Sequence, residues 1–240
     1  MSVQQYLEGK KDSNQPLSNN LYAKLQEDIL TGRIKAGGKL TEQHICEKYR
    51  ASRTPVREAI RQLEAEGLVQ LIPNRGAFVI GLTERDISDI LMMRSSMEVQ
   101  AADWAAERIS DKELDQLTEI YEYMVFYTHK GDIEKMRSIN AAFHKIIYQS
   151  SHNRILQRQL NMFQTYLKFA APDQYTLESL NDILLEHRAI YSAIMTHDPA
   201  ASSLAMRNHL QLGAERNHAA SPAHEQAESG VSVSGSGEQR

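Results

Sequence analysis

The chain has 240 residues, 41% of them hydrophobic and 24% charged, with a net charge of −4; this is the balance of a globular protein with one large domain or two modest ones. No apolar run approaches the roughly 18 residues a membrane span needs, the polar residues 1–12 lack the apolar centre of a secretory signal, and the single cysteine, Cys46, excludes an intramolecular disulfide framework and fits a cytoplasmic location. The charge is unevenly placed, +3 over residues 1–80 and −7 over residues 81–240, as in a DNA-binding head joined to a body kept off DNA.

Residues 1–17 have little periodicity and read as a flexible arm. Leu21, Leu25 and Ile29 recur every four positions and predict a helix, which Gly32 stops and Gly37-Gly38 follows with a turn. Thr41 is placed to cap a second helix with Ile45, Cys46 and Tyr49 facing inward, the thiol buried. After a short turn at Arg50-Ala51, Ser52 is placed to cap a third helix that runs to Gly67. Val56, Ile60 and Leu63 form its buried stripe, and Arg53, Arg57 and Arg61 share an adjoining face. Pro55 falls in the first turn, where a missing backbone donor costs little.

That basic face suits a DNA major groove, where a guanidinium fork bonds guanine O6 and N7 together and Thr54 lies near the base edges and phosphates. A solvated face on an ordinary helix is the plain alternative; the cap, the turn and the next element weigh against it. Val69–Ile72 and residues 77–80 are β-prone segments around Pro73-Asn74-Arg75-Gly76. Residues 18–82 therefore predict a winged helix-turn-helix, with Arg75 at the wing tip for the minor groove and Gly76 allowing close backbone approach to a phosphate.

From Thr83 the pattern is helical throughout. Capping boxes at Thr83-Glu84-Arg85-Asp86 and Ser110-Asp111-Lys112-Glu113 start helices reaching about Ile109 and His129. Others run from Gly131-Asp132 to near Ser150, from Asn153 to before Pro172, and from about Thr176 to His197. Asp198 caps the sixth, with Pro199 at its first position. Residues 83–216 predict an all-α six-helix bundle, so the fold class is mainly α. Residues 217–240, rich in Ala, Ser, Gly, Glu and Gln, read as a disordered tail.

Of the nine histidines, His144, His187 and His209 sit mid-helix, and Asn140 precedes His144 by one turn. Three imidazoles and an oxygen suit a borderline divalent cation such as zinc or nickel, although three histidines on separate helices are more often unrelated. Arg94, in the apolar stretch Leu91-Met92-Met93-Arg94, needs a partner: an anionic ligand, or Glu98 one turn on. Glu186 is the only tempting carboxylate for a general base beside His187, and neighbours on a helix point apart. In His197-Asp198, similar to the doublet of metal-dependent phosphohydrolases, Asp198 is better explained as a cap. Met92, Met93, Met97, Trp104, Tyr121, Met124, Phe143 and Phe163 read as core.

The run T-E-x-x-I-x-E-K-Y-x-A-S-R-T-P-V-R-E-A-I-R-Q-L-E-x-E-G-L-V, then N-R-G-A-F-V, resembles the DNA-binding domain of the GntR family of bacterial transcription regulators. The resemblance implies operator contacts by Ser52, Arg53, Thr54, Arg57 and Gly76, with Arg75 on the wing. Gln43 is a departure, since many relatives carry arginine there; a phosphate contact at that position would be neutral and weaker. The later histidine pattern is similar to the FCD ligand-sensing domain of the FadR branch. It implies a metal site of Asn140, His144, His187 and His209, and an effector that is a small organic or sugar acid with Arg94 as a second anchor. An amide in place of a carboxylate leaves the site nearer +2, weakening the hold on metal and favouring an anion. The resemblance covers about residues 19–215. The expected function is a homodimeric regulator, by default a repressor, reading a pseudo-palindromic operator in double-stranded DNA. The alternatives are a metal-dependent hydrolase with an accessory DNA-binding head, and a constitutive architectural binder with an inert bundle.

Overall fold

The computed structural model describes residues 17–219; the rest of the expected arm and the tail from residue 220 lie outside them. The described residues are mainly helical, with one small sheet, and divide into two compact units. The first runs to Arg94 and also takes in Gln159–Pro172; the second comprises Ser95–Arg158 and the residues from Asp173 on. This division differs from a simple cut near residue 82, because a segment from far down the chain belongs with the N-terminal part. No helix among the described residues is long and apolar enough to cross a membrane.

The first unit contains α1 (Leu17–Leu30), β1 (Lys39–Leu40), α2 (Glu42–Tyr49), α3 (Arg53–Ala65), β2 (Val69–Ile72) and β3 (Gly76–Val79). Leu21, Leu25 and Ile29 of α1 are buried and α1 packs on α3, whose Val56, Ala59, Ile60 and Leu63 are also buried. Each fully buried Leu, Ile or Val stabilises by about 1.5–3 kcal/mol. The hairpin pairs Val69 with Val79 and Ile72 with Gly76, antiparallel.

Four details of this unit differ from expectation. Lys39 and Leu40 form a third strand beside Phe78 and Ala77, giving the order β1-β3-β2; two residues carry no legible period. The second hairpin strand ends at Val79 and leaves Ile80 exposed. Cys46 is half-buried, not buried, because Ile45, one residue and about 100° earlier on the helix, takes the inward position. Ser52 holds the cap position in extended backbone, but its hydroxyl makes no capping bond. The third helical residue is Pro55, which has no N–H to offer it.

Two carboxylates, Asp28 buried and Glu66 half-buried, tie the unit together. Asp28 accepts from Arg33 Nε at 2.5 Å, Lys48 Nζ at 2.7 Å and the hydroxyl of half-buried Tyr49, joining α1 to α2. Burial opposes ionisation of Asp28, but these three donors outweigh it and hold the carboxyl below its usual range. Glu66, the residue after α3, accepts from the Tyr22 hydroxyl, from Gln26 Nε2 at 2.8 Å and from Tyr166 at 3.2 Å.

The remaining helices are α4 (Glu84–Arg108), α5 (Asp111–Lys130), α6 (Ile133–Ser150), α7 (Arg154–Ala170), α8 (Leu180–Met195) and α9 (Pro199–Ala219). Both expected capping boxes form: Asp86 N–H donates to Thr83 Oγ1 at 3.1 Å and Thr83 N–H to Asp86 Oδ2 at 2.8 Å, and Ser110 pairs with Glu113. Gly131 ends α5 at φ 66°. Helix α8 starts at Leu180, not near Thr176, because Thr176 and Ser179 hydrogen-bond each other in a turn. Helix α9 continues through Ala219, past residue 217 where the tail was expected to begin.

In the second unit α5 packs on α6 and α8, and α8 on α9. Small residues on α4 admit close partners: Ser202 Oγ donates to the Ala102 carbonyl at 3.0 Å and His197 Nδ1 to the Ala106 carbonyl at 2.9 Å. Asp198 caps α9 through Ala201 N–H at 2.9 Å. His197-Asp198 is thus a helix junction. Met124, Phe143 and Phe163 are core as expected and Met97, Trp104 and Tyr121 are half-buried. Met92 and Met93 are not core: they are 69% and 48% exposed.

Candidate DNA-reading face and metal centre

Helix α3 carries Ser52 at its cap and Arg53, Thr54, Arg57 and Arg61 on its open face, all exposed, while the opposite stripe is buried. The amphipathic pattern of α3 therefore fixes which side faces outward. Arg57 Nε donates to Glu42 Oε1 at 2.7 Å, and this bond holds the Glu42 carboxyl below its usual range. Both partners are solvated, so a phosphate or base edge can replace Glu42 at little cost.

The wing stands beside this helix. A cavity of about 590 Å³ lies between them, lined among others by Lys39, Arg57, Arg61, Asn74, Arg75 and Gly76. Arg75 leans over Phe78, Cζ 5.6 Å from the ring centre, and is otherwise open to solvent. Gly76 has φ +99°, a backbone conformation that side chains with a Cβ rarely adopt, so the turn favours glycine. Gln43 is exposed on α2 and donates to Glu47 Oε1 at 3.1 Å. Lys39 is a basic contributor to this face that sequence reasoning missed; its place on a two-residue strand gave no indication of it.

In the second unit α6 supplies Asn140 and His144, α8 His187 and α9 His209, with 7%, 1%, 0% and 8% exposure. One ligand nitrogen from each of the three histidines lies within 4.8 Å of the other two. A tetrahedral zinc with Zn–N bonds of about 2.0–2.1 Å wants such atoms about 3.4 Å apart, a small ring movement away.

His187 and His209 are each oriented from behind by a hydrogen bond, and His144 faces a carboxylate. His187 Nδ1 donates to the Ile183 carbonyl at 2.7 Å, which leaves a bare lone pair on Nε2. Burial, and then His209, push its pKa down to about 3, so the ring is neutral, as a ligand must be. His209 Nδ1 donates to Glu186 Oε2 at 2.8 Å, and Arg216 grips the same carboxylate through two bonds at 2.5 and 2.9 Å. Burial raises the Glu186 pKa, but His209 and Arg216 prevail and bring it to about 2. Held in this way, Glu186 orients His209 and is no free base. His144 Nδ1 lies 3.6 Å from Glu98 Oε2, and the Tyr148 hydroxyl donates to Glu98 Oε1. Outer partners of this kind fix the tautomer of metal-binding histidines. The sequence reading placed Glu98 only as a partner for Arg94; its i+4 spacing from Ala102 on an apolar helix stretch was the visible hint that it is buried.

The donor set fits a divalent ion. His187 Nε2 and Asn140 Oδ1 are buried and hydrogen-bond to nothing, a costly state that a bound cation relieves. Asn140, His144, His187 and His209 would hold it. Arg94 is half-buried on α4 and falls in the first unit, the histidines in the second.

Residues 17–79 match the model of bacterial regulatory proteins of the gntR family, and residues 89–212 match the FCD domain. The HTH-type transcriptional regulator YdhC of Bacillus subtilis (strain 168) is 30% identical over 83% of this chain and 92% of its own length. The galactonate operon transcriptional repressor of Escherichia coli (strain K12) is 28% identical over 75% of this chain and 88% of its own. The solved structure of E. coli McbR/YncC, at 21% identity, covers 85% of this chain and 98% of that one with a TM-score of 0.65, and so shares the fold. The chain therefore belongs to the GntR family, with an FCD domain behind its DNA-binding head, and is a transcription regulator and not an enzyme.

Proposed function

We propose that the protein is a homodimeric repressor whose operator affinity is set by a small organic or sugar acid bound at a divalent metal, zinc or nickel. The observation that supports this reading is the meeting of His144, His187 and His209 from three helices, with His187 Nε2 and, one turn before His144, Asn140 Oδ1 both buried and without a hydrogen bond. Three neutral imidazoles and an amide cancel none of the ion's charge, so the bound metal attracts a carboxylate. The galactonate operon named for one relative is an instance of sugar-acid chemistry.

Arg53, Thr54 and Arg57 read the major groove, Ser52 and Gln43 meet phosphates, and Arg75 and Gly76 engage through the wing. One head makes few contacts, so two heads on a dyad share a pseudo-palindrome. Leu91, Met92 and Met93, 43%, 69% and 48% exposed, support a face that a second copy covers. Effector binding shifts the population between DNA-competent and incompetent states. Elemental analysis of the purified protein, followed by titration of DNA from its own promoter with and without galactonate and gluconate, tests this. Stoichiometric zinc or nickel and weaker DNA binding with an acid support the reading. Protein that takes up neither metal, or DNA affinity indifferent to every acid, overturns it.

A further inference from the structure

Among the described residues, a metal ion accounts for the bare His187 Nε2 on α8 and Asn140 Oδ1 on α6, but not for the guanidinium one turn before Asn140. Arg137 is half-buried, its side chain 40% exposed, but its Nε is buried and hydrogen-bonds to nothing. The rest of that guanidinium is weakly engaged: Nη1 is 3.7 Å from Glu134 Oε1, a glutamate side chain 89% exposed, and Cζ is 5.9 Å from the centre of the Tyr175 ring. A buried N–H donor on a cation calls for an acceptor. A metal cannot be that acceptor, since both are positive. Arg216, the guanidinium bound to Glu186 behind His209, is already engaged in two bonds.

Arg137, Asn140 and His144 are spaced three and four apart and so share one face of α6. About 10 Å of helix axis separates the first from the last, and side chains leaning the same way keep that separation. Resting on the metal-and-acid reading above, we infer that Arg137 is an effector-anchoring residue. The effector is two-ended, with a carboxylate for the metal and a second acceptor, carboxylate or hydroxyl, several bonds away for Arg137. Dicarboxylates of four to six carbons and hexonate-sized sugar acids fit this description; acetate does not. Among the cations of these helices the sequence pattern singles out Arg94, whereas Arg137 precedes Asn140 by a single turn.

Calorimetric titration of zinc-loaded protein with acetate, succinate, glutarate, adipate and gluconate tests the inference. At least one two-ended acid is expected to bind about tenfold or more tightly than acetate, the worth of a charge-assisted bond. Arg137→Gln is expected to erase that margin while leaving acetate affinity and zinc stoichiometry unchanged; Arg137→Lys keeps the charge and is expected to restore part of it. If no two-ended acid outdoes acetate, or if the margin survives Arg137→Gln, the role of Arg137 is wrong while the metal-bound carboxylate stands. If wild-type protein binds none of the five acids, or takes up no zinc or nickel, the reading of the preceding subsection falls and this one with it.

Discussion

His187→Leu separates a ligand site from a packed core. His187 is fully buried, and its Nε2 has no partner. Leaving such a group unsatisfied costs about 1–3 kcal/mol. Leucine removes that cost at similar volume, and the bond it forfeits is to the Ile183 carbonyl, which already takes the helix's own i→i−4 bond. Metal-free variant is therefore expected to be at least as stable as metal-free wild type. Metal acts the other way. At a free concentration 100 times Kd it stabilises wild type by about 2.7 kcal/mol, or about 5–11 °C at 2–4 °C per kcal/mol for a chain of this size. The variant should lose most of that rise. Thermal and urea unfolding, each with chelator and then with zinc or nickel, measure both quantities. A full metal-induced rise in the variant removes His187 from the site. A metal-free variant weaker by more than about 2 kcal/mol, as for a core truncation, refutes the claim that the bare nitrogen burdens the fold.

Three further outcomes are expected. Arg57→Ala should cut discrimination between operator and random DNA by about ten- to a hundredfold per head, with unchanged circular dichroism because the side chain is exposed; fluorescence anisotropy at fixed salt reads this. Glu98→Gln should lower metal affinity by about 10–100-fold through looser orientation of His144, measured by chelator competition. Asp28 has a folded pKa below its unfolded value of about 3.9. Its contribution is therefore fully present above that unfolded value and lost as pH falls through the lower, folded one. The stability gap between wild type and Asp28→Asn should be constant near neutrality and shrink on acidification; a gap that widens in acid denies the depressed pKa.

Much of the head was legible because its residues obey one period at a time. Leu21, Leu25 and Ile29 mark α1, and Val56, Ile60 and Leu63 mark α3, so the outward place of Arg53 and Arg57 followed from the helix repeat alone. Lys39–Leu40 did not, since its strand exists only by pairing with Phe78 and Ala77. Asn140 and His144 were legible as a pair one turn apart. That His187 and His209 join them depended on helix packing, which spacing does not encode. Met92 and Met93 show the converse: apolar character suggested core, and exposure overruled it. The duties of Glu98 and Glu186 stayed hidden because an outer-shell carboxylate is defined by its neighbours in space.

Residue 166 donates to residue 66 across a hundred positions of chain, and the stretch around it belongs with the winged head. A fragment ended after the wing would expose what that stretch covers and leave the Glu66 carboxylate one donor short. The compact unit that holds the winged head thus draws on two distant stretches of sequence. Swapping heads between relatives at the linker would leave that contact behind, whereas carrying the chain on to residue 94 together with residues 159–172 would move the whole unit.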